Sequence, residues 1–128
     1  MEKIKLDGKI FSGKGGGKKI LMFPWVKQQI KAKLGFTPYT GTLNLQLSDR
    51  NSIGRKLLDN AVAMIIYPAE GYCKGKLFKA SIGTMECGVV IPQVIGYPPD
   101  IIEIIAPMNL RETLKLADGD FVTITVTL

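Results

Sequence analysis

The sequence contains no histidine. Without imidazole there is no Ser-His-Asp triad, no Cys-His pair and none of the usual histidine metal sites. Cysteine is nearly as scarce: Cys73 and Cys87 are too few for a disulfide framework and lack the paired spacing of a zinc site, so each is read as a small core or surface residue. Long apolar runs are missing too. The segment Ala61–Tyr67 falls far short of the roughly 20 apolar residues a membrane helix needs. The opening Met1-Glu2-Lys3-Ile4-Lys5 alternates charge with aliphatics and has no signal-peptide core, so a cytoplasmic protein without membrane attachment is expected. No linker, low-complexity segment or internal repeat stands out, which predicts one domain over residues 1–128. Any chemistry must come from backbone amides, carboxylates, hydroxyls, lysines, arginines and a metal.

What is present suffices for a packed core. Of 128 residues, 46% are hydrophobic and 22% charged, the balance of an ordinary globular domain. The net charge of +6 points to a phosphate-bearing partner, either a nucleotide or a nucleic acid, without choosing between them.

Alternation dominates the patterning. Lys3–Phe11 reads as a strand with Gly8 as a bend or bulge, Ser12–Lys19 as a glycine- and lysine-rich loop, and Lys19–Phe23 as a short strand. Pro24 suits the first turn of a helix running to Leu34, whose core face is Val26, Ile30 and Leu34 and whose C-terminal cap is Gly35. Thr40–Leu47 alternates cleanly, leucines against Thr42, Asn44 and Gln46. Ala61–Tyr67 reads as a buried strand, Tyr72–Ile82 as a hairpin turned at Lys74-Gly75-Lys76, and Glu86–Ile91 and Ile101–Ile105 as strands separated by the loop Gln93–Asp100. Asn109 caps a short helix with Glu112 completing a capping box, Ala117–Asp120 turns, and Phe121–Leu128 closes the chain as a strand. About seven strands and two short helices predict a mainly β protein, a closed barrel with helical inserts, since closure removes exposed strand edges.

Three constellations could carry chemistry. In Gly13–Lys19, glycines let successive amides turn toward an anion and lysines add charge. The segment is neither a Walker A loop nor a dinucleotide fingerprint, and a flexible hairpin loop would account for it equally well. Thr42 and Asn44 project from one strand face with their roots about 6.5–7 Å apart, so a hydroxyl and an amide oxygen could share a hard cation; an ordinary polar face is the alternative. In Ile101–Arg111, Glu103 is one carboxylate in an apolar strand and needs a partner or ligand if it faces inward. Met108–Arg111 opens a helix whose free amides favour anions, with Arg111 as a fork donor, or is simply a capped helix.

The segments Phe36–Leu45 and Ile101–Arg111, preceded by the Gly13–Lys19 loop, resemble the archaeal CTP-dependent riboflavin kinases in order and separation. The likeness runs from about Ile4 to Val126. It implies a six-stranded cradle-loop barrel, RIFT-related, and transfer of phosphate from CTP to riboflavin, giving FMN and CDP. It further implies that Lys14, Gly15, Gly16, Gly17, Lys18 and Lys19 hold the nucleotide together with Met108, Asn109, Leu110 and Arg111. By the same resemblance Thr42 and Asn44 are the Mg²⁺ ligands and Glu103 contacts the flavin. Ile95 stands where the family's pattern has a flavin-touching threonine, and isoleucine cannot make that hydrogen bond. The glycine loop is also richer in lysine than the family's pattern. Some members carry an N-terminal DNA-binding domain, and none is expected within these 128 residues.

Phosphoryl transfer asks mainly for positioning and charge neutralisation, so a histidine-free site is no objection. No general base is assigned. Glu103 is the obvious candidate but is read as orienting the flavin, and Tyr97 in the Gln93–Asp100 loop could stack on the ring. Two rivals remain. Leu110–Ile124 also looks like the helix-turn-strand of swapped-hairpin DNA-binding regulators, but the lysines are scattered from Lys3 to Lys115 rather than gathered in a stripe, which argues against a nucleic-acid partner. The other is a non-catalytic flavin or nucleotide carrier: a mere flavin binder has no use for a metal pair at Thr42 and Asn44, while the Ile95 departure keeps the option open. A monomer is expected.

Overall fold

The computed structural model describes residues 2–13 and 23–128. The strand order begins with β1 (Lys3–Phe11), β2 (Leu43–Leu47), β3 (Met64–Ile66) and β4 (Gly75–Ile82), and continues with β5 (Met85–Pro92), β6 (Ile101–Ile105) and β7 (Phe121–Thr127). Helices α1 (Pro24–Leu34), α2 (Ser52–Asn60) and α3 (Leu110–Thr113) are inserted between them. All pairings are antiparallel, in the order β3-β4-β5-β6-β2-β1-β7, and a further β4–β7 pairing closes six of the strands into a barrel. Two strands share one edge of β4: its first residues pair with β3 (Ile66 opposite Gly75), its later ones with β7 (Ala80 opposite Val126).

Alternation decides which side chains fill the barrel. Leu43, Leu45 and Leu47 of β2 and Val122, Ile124 and Val126 of β7 belong to one buried cluster, while their polar neighbours face outward. A second buried cluster lies on the outer face, where Val26, Ile30 and Leu34 of α1 pack with Ile66, Leu77 and Ile105. Helix α1 starts at Pro24 and ends on Gly35, whose φ of 85° lets its N–H reach the Lys31 carbonyl at 2.9 Å.

Helix α2 has no counterpart in the sequence reading. Ile53 and Leu57 are exposed, and of its apolar side chains Leu58 alone is buried, so the helix lacks a broad apolar stripe. Tertiary contacts hold it instead. Leu58 enters the barrel core, and the Lys76 ammonium donates to the carbonyls of Leu58 (3.3 Å), Asp59 and Ala61 (3.2 Å) at the helix end. Buried Arg55 pairs with Asp59 and donates to the Ile101 carbonyl.

Four expectations are corrected. There is no turn at Lys74-Gly75-Lys76: β4 runs unbroken from Gly75, which is buried and paired with Ile66 and Pro92, and the tight turn sits at Gly83, with φ of 60°. Gly8 is not a bulge, because β1 is continuous through it and pairs with Leu47 on one side and Val122 on the other. The buried strand expected over Ala61–Tyr67 shrinks to the partly exposed β3, and that over Thr40–Leu47 begins only at Leu43, after Gly41 with φ of 120°. Of the strand expected at Lys19–Phe23 only Phe23 is described, and it precedes α1. The Leu110–Ile124 motif becomes α3, a turn and β7, which pairs with β1 from Lys3 to Lys9 and so helps to close the barrel. Among the described residues no helix is long and apolar enough to cross a membrane.

Candidate active site

The site grows from the register of β2 against β6. Asn44 lies opposite Glu103 and Leu43 opposite Ile104, and Glu103 is also opposite Val90 of β5. Because Leu43, Leu45, Ile102 and Ile104 fill the barrel, Asn44 and Glu103 share the outer face, with Thr42 two residues before Asn44 on the same side. The Thr42 hydroxyl donates to Glu103 Oε1 at 2.9 Å, and the Tyr97 phenol donates to Glu103 Oε2 at 2.8 Å. Burial raises the Tyr97 phenol well above its ordinary value, reinforced by the Glu103 charge and hydrogen bond, so Tyr97 stays a neutral donor at any physiological pH.

Two cavities meet at Thr42, the donor to this carboxylate. The larger, about 380 Å³, has aromatic walls from Trp25, Tyr72 and Tyr97, aliphatic walls that include Val26 and Val90, and Thr42 and Glu103 as a polar patch. Phe23 stacks on Trp25 with ring centroids 5.5 Å apart and planes 12° apart, and Tyr72 meets both rings, so the aromatic wall is braced. The smaller, about 180 Å³, is formed by Tyr39–Leu43, Ile104, Ala106 and Met108–Arg111. Thr42 lines both.

Polar contacts hold the smaller cavity in shape. The Tyr39 N–H donates to the Ala106 carbonyl at 2.7 Å, and Asn109 caps α3 by accepting from the Glu112 N–H at 3.3 Å. Helix α3 is a single turn, so any anion there would meet individual amides rather than a macrodipole. Arg111 donates to Asp118 at 2.7 Å and to the Phe11 carbonyl at 3.4 Å, which places its guanidinium beside the end of β1. Asp118 is held below the usual carboxylate range by the Ser12 hydroxyl and then by Arg111.

The residues singled out in the sequence are distributed as follows. Thr42, Glu103 and Tyr97 form one hydrogen-bonded group, and Met108, Asn109, Leu110 and Arg111 line the smaller cavity. Asn44 lines neither cavity but lies against Gly13, where a Cβ would come within 2.4 Å of its Nδ2. Lys14, Gly15, Gly16, Gly17, Lys18 and Lys19 lie outside the described residues. Ile95 is fully exposed and touches neither cavity. The sequence reading missed Trp25, Tyr72 and Tyr39. The signal for Trp25 was available: a large aromatic next to the Val26 stripe but outside it needs another surface to cover it.

The two cysteines separate cleanly. Cys87 is buried in the barrel and its thiol is pushed up to about 12 by burial, whereas Cys73 is exposed and borders the larger cavity. Native protein is therefore expected to react with an aromatic disulfide reagent at one thiol and denatured protein at two. Two fast-reacting thiols in native protein would contradict the burial of Cys87.

A closed antiparallel barrel carrying an aromatic-walled cavity joined through one threonine to a smaller polar cavity defines a small-molecule-binding barrel with room for two adjoining ligand groups. The sequence model of the CTP-dependent riboflavin kinase family, described as a domain of unknown function (DUF120), matches residues 10–126, and the chain belongs to that family. Similar proteins include one named riboflavin kinase from Methanosarcina barkeri, 40% identical over 94% of this chain and 56% of its own length. One of the same name from Archaeoglobus fulgidus is 40% identical over 98% of this chain and 55% of its own length, and one from Saccharolobus solfataricus is 40% identical over 98% and 75%. The chain thus spans little more than half the length of the first two relatives.

Proposed function

We propose that this chain phosphorylates riboflavin at the ribityl 5′-hydroxyl with CTP as donor, giving FMN and CDP. The observation that carries the reading is the meeting of the two cavities at Thr42. An extended acceptor with a flat ring system at one end and a hydroxyl at the other can occupy the larger cavity and present that hydroxyl to a phosphate in the smaller one. Family membership and the name of the relatives support the same reading.

In this reading Trp25, Tyr72 and Tyr97 bind the isoalloxazine ring, and Glu103 accepts from its single N–H. The nucleotide is held by Met108–Arg111 and by Lys14–Lys19, which follow directly on Gly13. Arg111, fixed by Asp118, keeps a positive charge beside the phosphates, where a loose transition state spreads negative charge.

Mg²⁺ fits the side chains present. Because the Thr42 proton is committed to Glu103, the hydroxyl oxygen has only lone pairs left to offer, as a cation requires. Asn44 adds an amide oxygen, and two neutral protein oxygens suit an ion that keeps water and phosphate for most of its shell. When bound, Mg²⁺ would neutralise phosphate charge. Both Glu103 oxygens already accept hydrogen bonds, so the reading gives Glu103 a binding and orienting role rather than that of general base.

The test is incubation with riboflavin, Mg²⁺ and either CTP or ATP, with FMN separated from riboflavin chromatographically. FMN is expected with CTP and little or none with ATP. Flavin bound without turnover by any nucleotide would replace this reading with that of a carrier.

A further inference from the structure

Glu103 links Thr42, which lines both cavities, to Tyr97, which lines only the larger. Thr42 donates to one carboxylate oxygen and Tyr97 to the other. Tyr97 lies in the loop between β5 and β6, on the side of the larger cavity, and does not line the smaller one. A carboxylate on a glutamate has three side-chain torsions, so one hydrogen bond from Thr42 would leave it free to rotate. The second, from a partly buried phenol, removes that freedom.

The consequence reaches the other cavity. A threonine hydroxyl has one proton and two lone pairs. While Glu103 is held in place it takes that proton, and Thr42 Oγ1 can act toward the smaller cavity only as an acceptor. If Glu103 swings away, the hydroxyl rotates freely and turns its proton toward the cavity in part of the population, where it repels a cation. Tyr97 therefore acts on the nucleotide side without touching it.

We infer that Tyr97 is a positioning residue for the cation-binding oxygen of Thr42, acting through Glu103. This differs from a stacking role against the flavin, which a phenylalanine would fill equally well. The inference rests on the proposed nucleotide reading, and its test uses no flavin and no turnover.

Binding of CDP is measured calorimetrically with and without Mg²⁺ in wild type, Tyr97→Phe, Glu103→Leu and the double variant, each checked for an unchanged melting curve. Outer supports of a metal site typically matter by about 10-fold or more in affinity. Tyr97→Phe is expected to weaken Mg²⁺-dependent CDP binding roughly 10-fold while leaving Mg²⁺-free binding unaltered. Glu103→Leu should do the same, since it removes both acceptor oxygens. The two losses should not add, because both act through one carboxylate. Wild-type CDP binding with Tyr97→Phe indistinguishable from it, or fully additive losses, would overturn the inference and leave the nucleotide reading standing. Absence of CDP binding to wild type would instead remove the nucleotide reading, and this inference with it.

Discussion

Replacing Thr42 by valine is expected to lower kcat/KM for riboflavin phosphorylation by CTP at least about 100-fold, the scale seen when one electrostatic contact at a reacting centre is removed. Valine keeps the shape and the wall between the cavities but deletes the hydroxyl that both donates to Glu103 and faces the smaller cavity. The loss should fall mainly on the nucleotide side, with riboflavin affinity changed by only a few-fold. The single tryptophan, Trp25, lies in the wall of the larger cavity, so its fluorescence can follow riboflavin binding independently of turnover. Thr42→Ser should recover most of the activity, because the hydroxyl rather than the methyl group is at work. Stability should change little, since one partly buried hydrogen bond contributes only about 1 kcal/mol. Activity within threefold of wild type for Thr42→Val would show that the meeting of the two cavities at this residue has no catalytic meaning.

The largest stability effect is expected from Gly8→Ala. Gly8 is buried in β1 where β2 approaches closely: a Cβ there would lie 2.3 Å from the Gln46 carbonyl oxygen and 3.0 Å from Leu45 Cγ. The first neighbour is backbone of a strand paired on both sides, with Lys9 and with Ile101, and cannot swing aside as a side-chain end could. Its φ is not positive, so the effect is steric alone. A clash of this kind is expected to cost about 3 kcal/mol, as overpacking does, and to lower the melting temperature by roughly 10 °C. Gly8 lines neither cavity, so activity below the transition should persist. A thermal melt followed by circular dichroism decides the matter: a midpoint within about 2 °C of wild type would mean that β1 and β2 separate without penalty.

Much of the fold was legible because barrel strands with one filled face carry a period of two. Alternation alone set the leucines of β2 on one strand face, and that face, with Val122, Ile124 and Val126 of β7, fills the core. Helix α1 was legible because its start, stripe and stop coincide in Pro24, Val26-Ile30-Leu34 and Gly35. Helix α2 was not, because Lys76 and the barrel mouth stabilise it rather than its own pattern. The supposed turn at Gly75 failed for a related reason. Glycine marks a turn only where φ demands it, and Gly75 has no positive φ and sits in the sheet between Ile66 and Pro92.

The same division runs through the site. The sequence by itself determined the chemical inventory: no histidine, a hydroxyl and an amide two residues apart, and a lone glutamate in an apolar strand. It also determined which residues share a face, since that depends only on the two-residue period of a strand. Only the tertiary structure decided that Glu103 lies opposite Asn44, that Tyr97 and Thr42 both donate to it, and that Trp25 and Tyr72 wall the cavity beside it. Those contacts join residues up to 61 positions apart, and register across a closed sheet, not local pattern, brings them together.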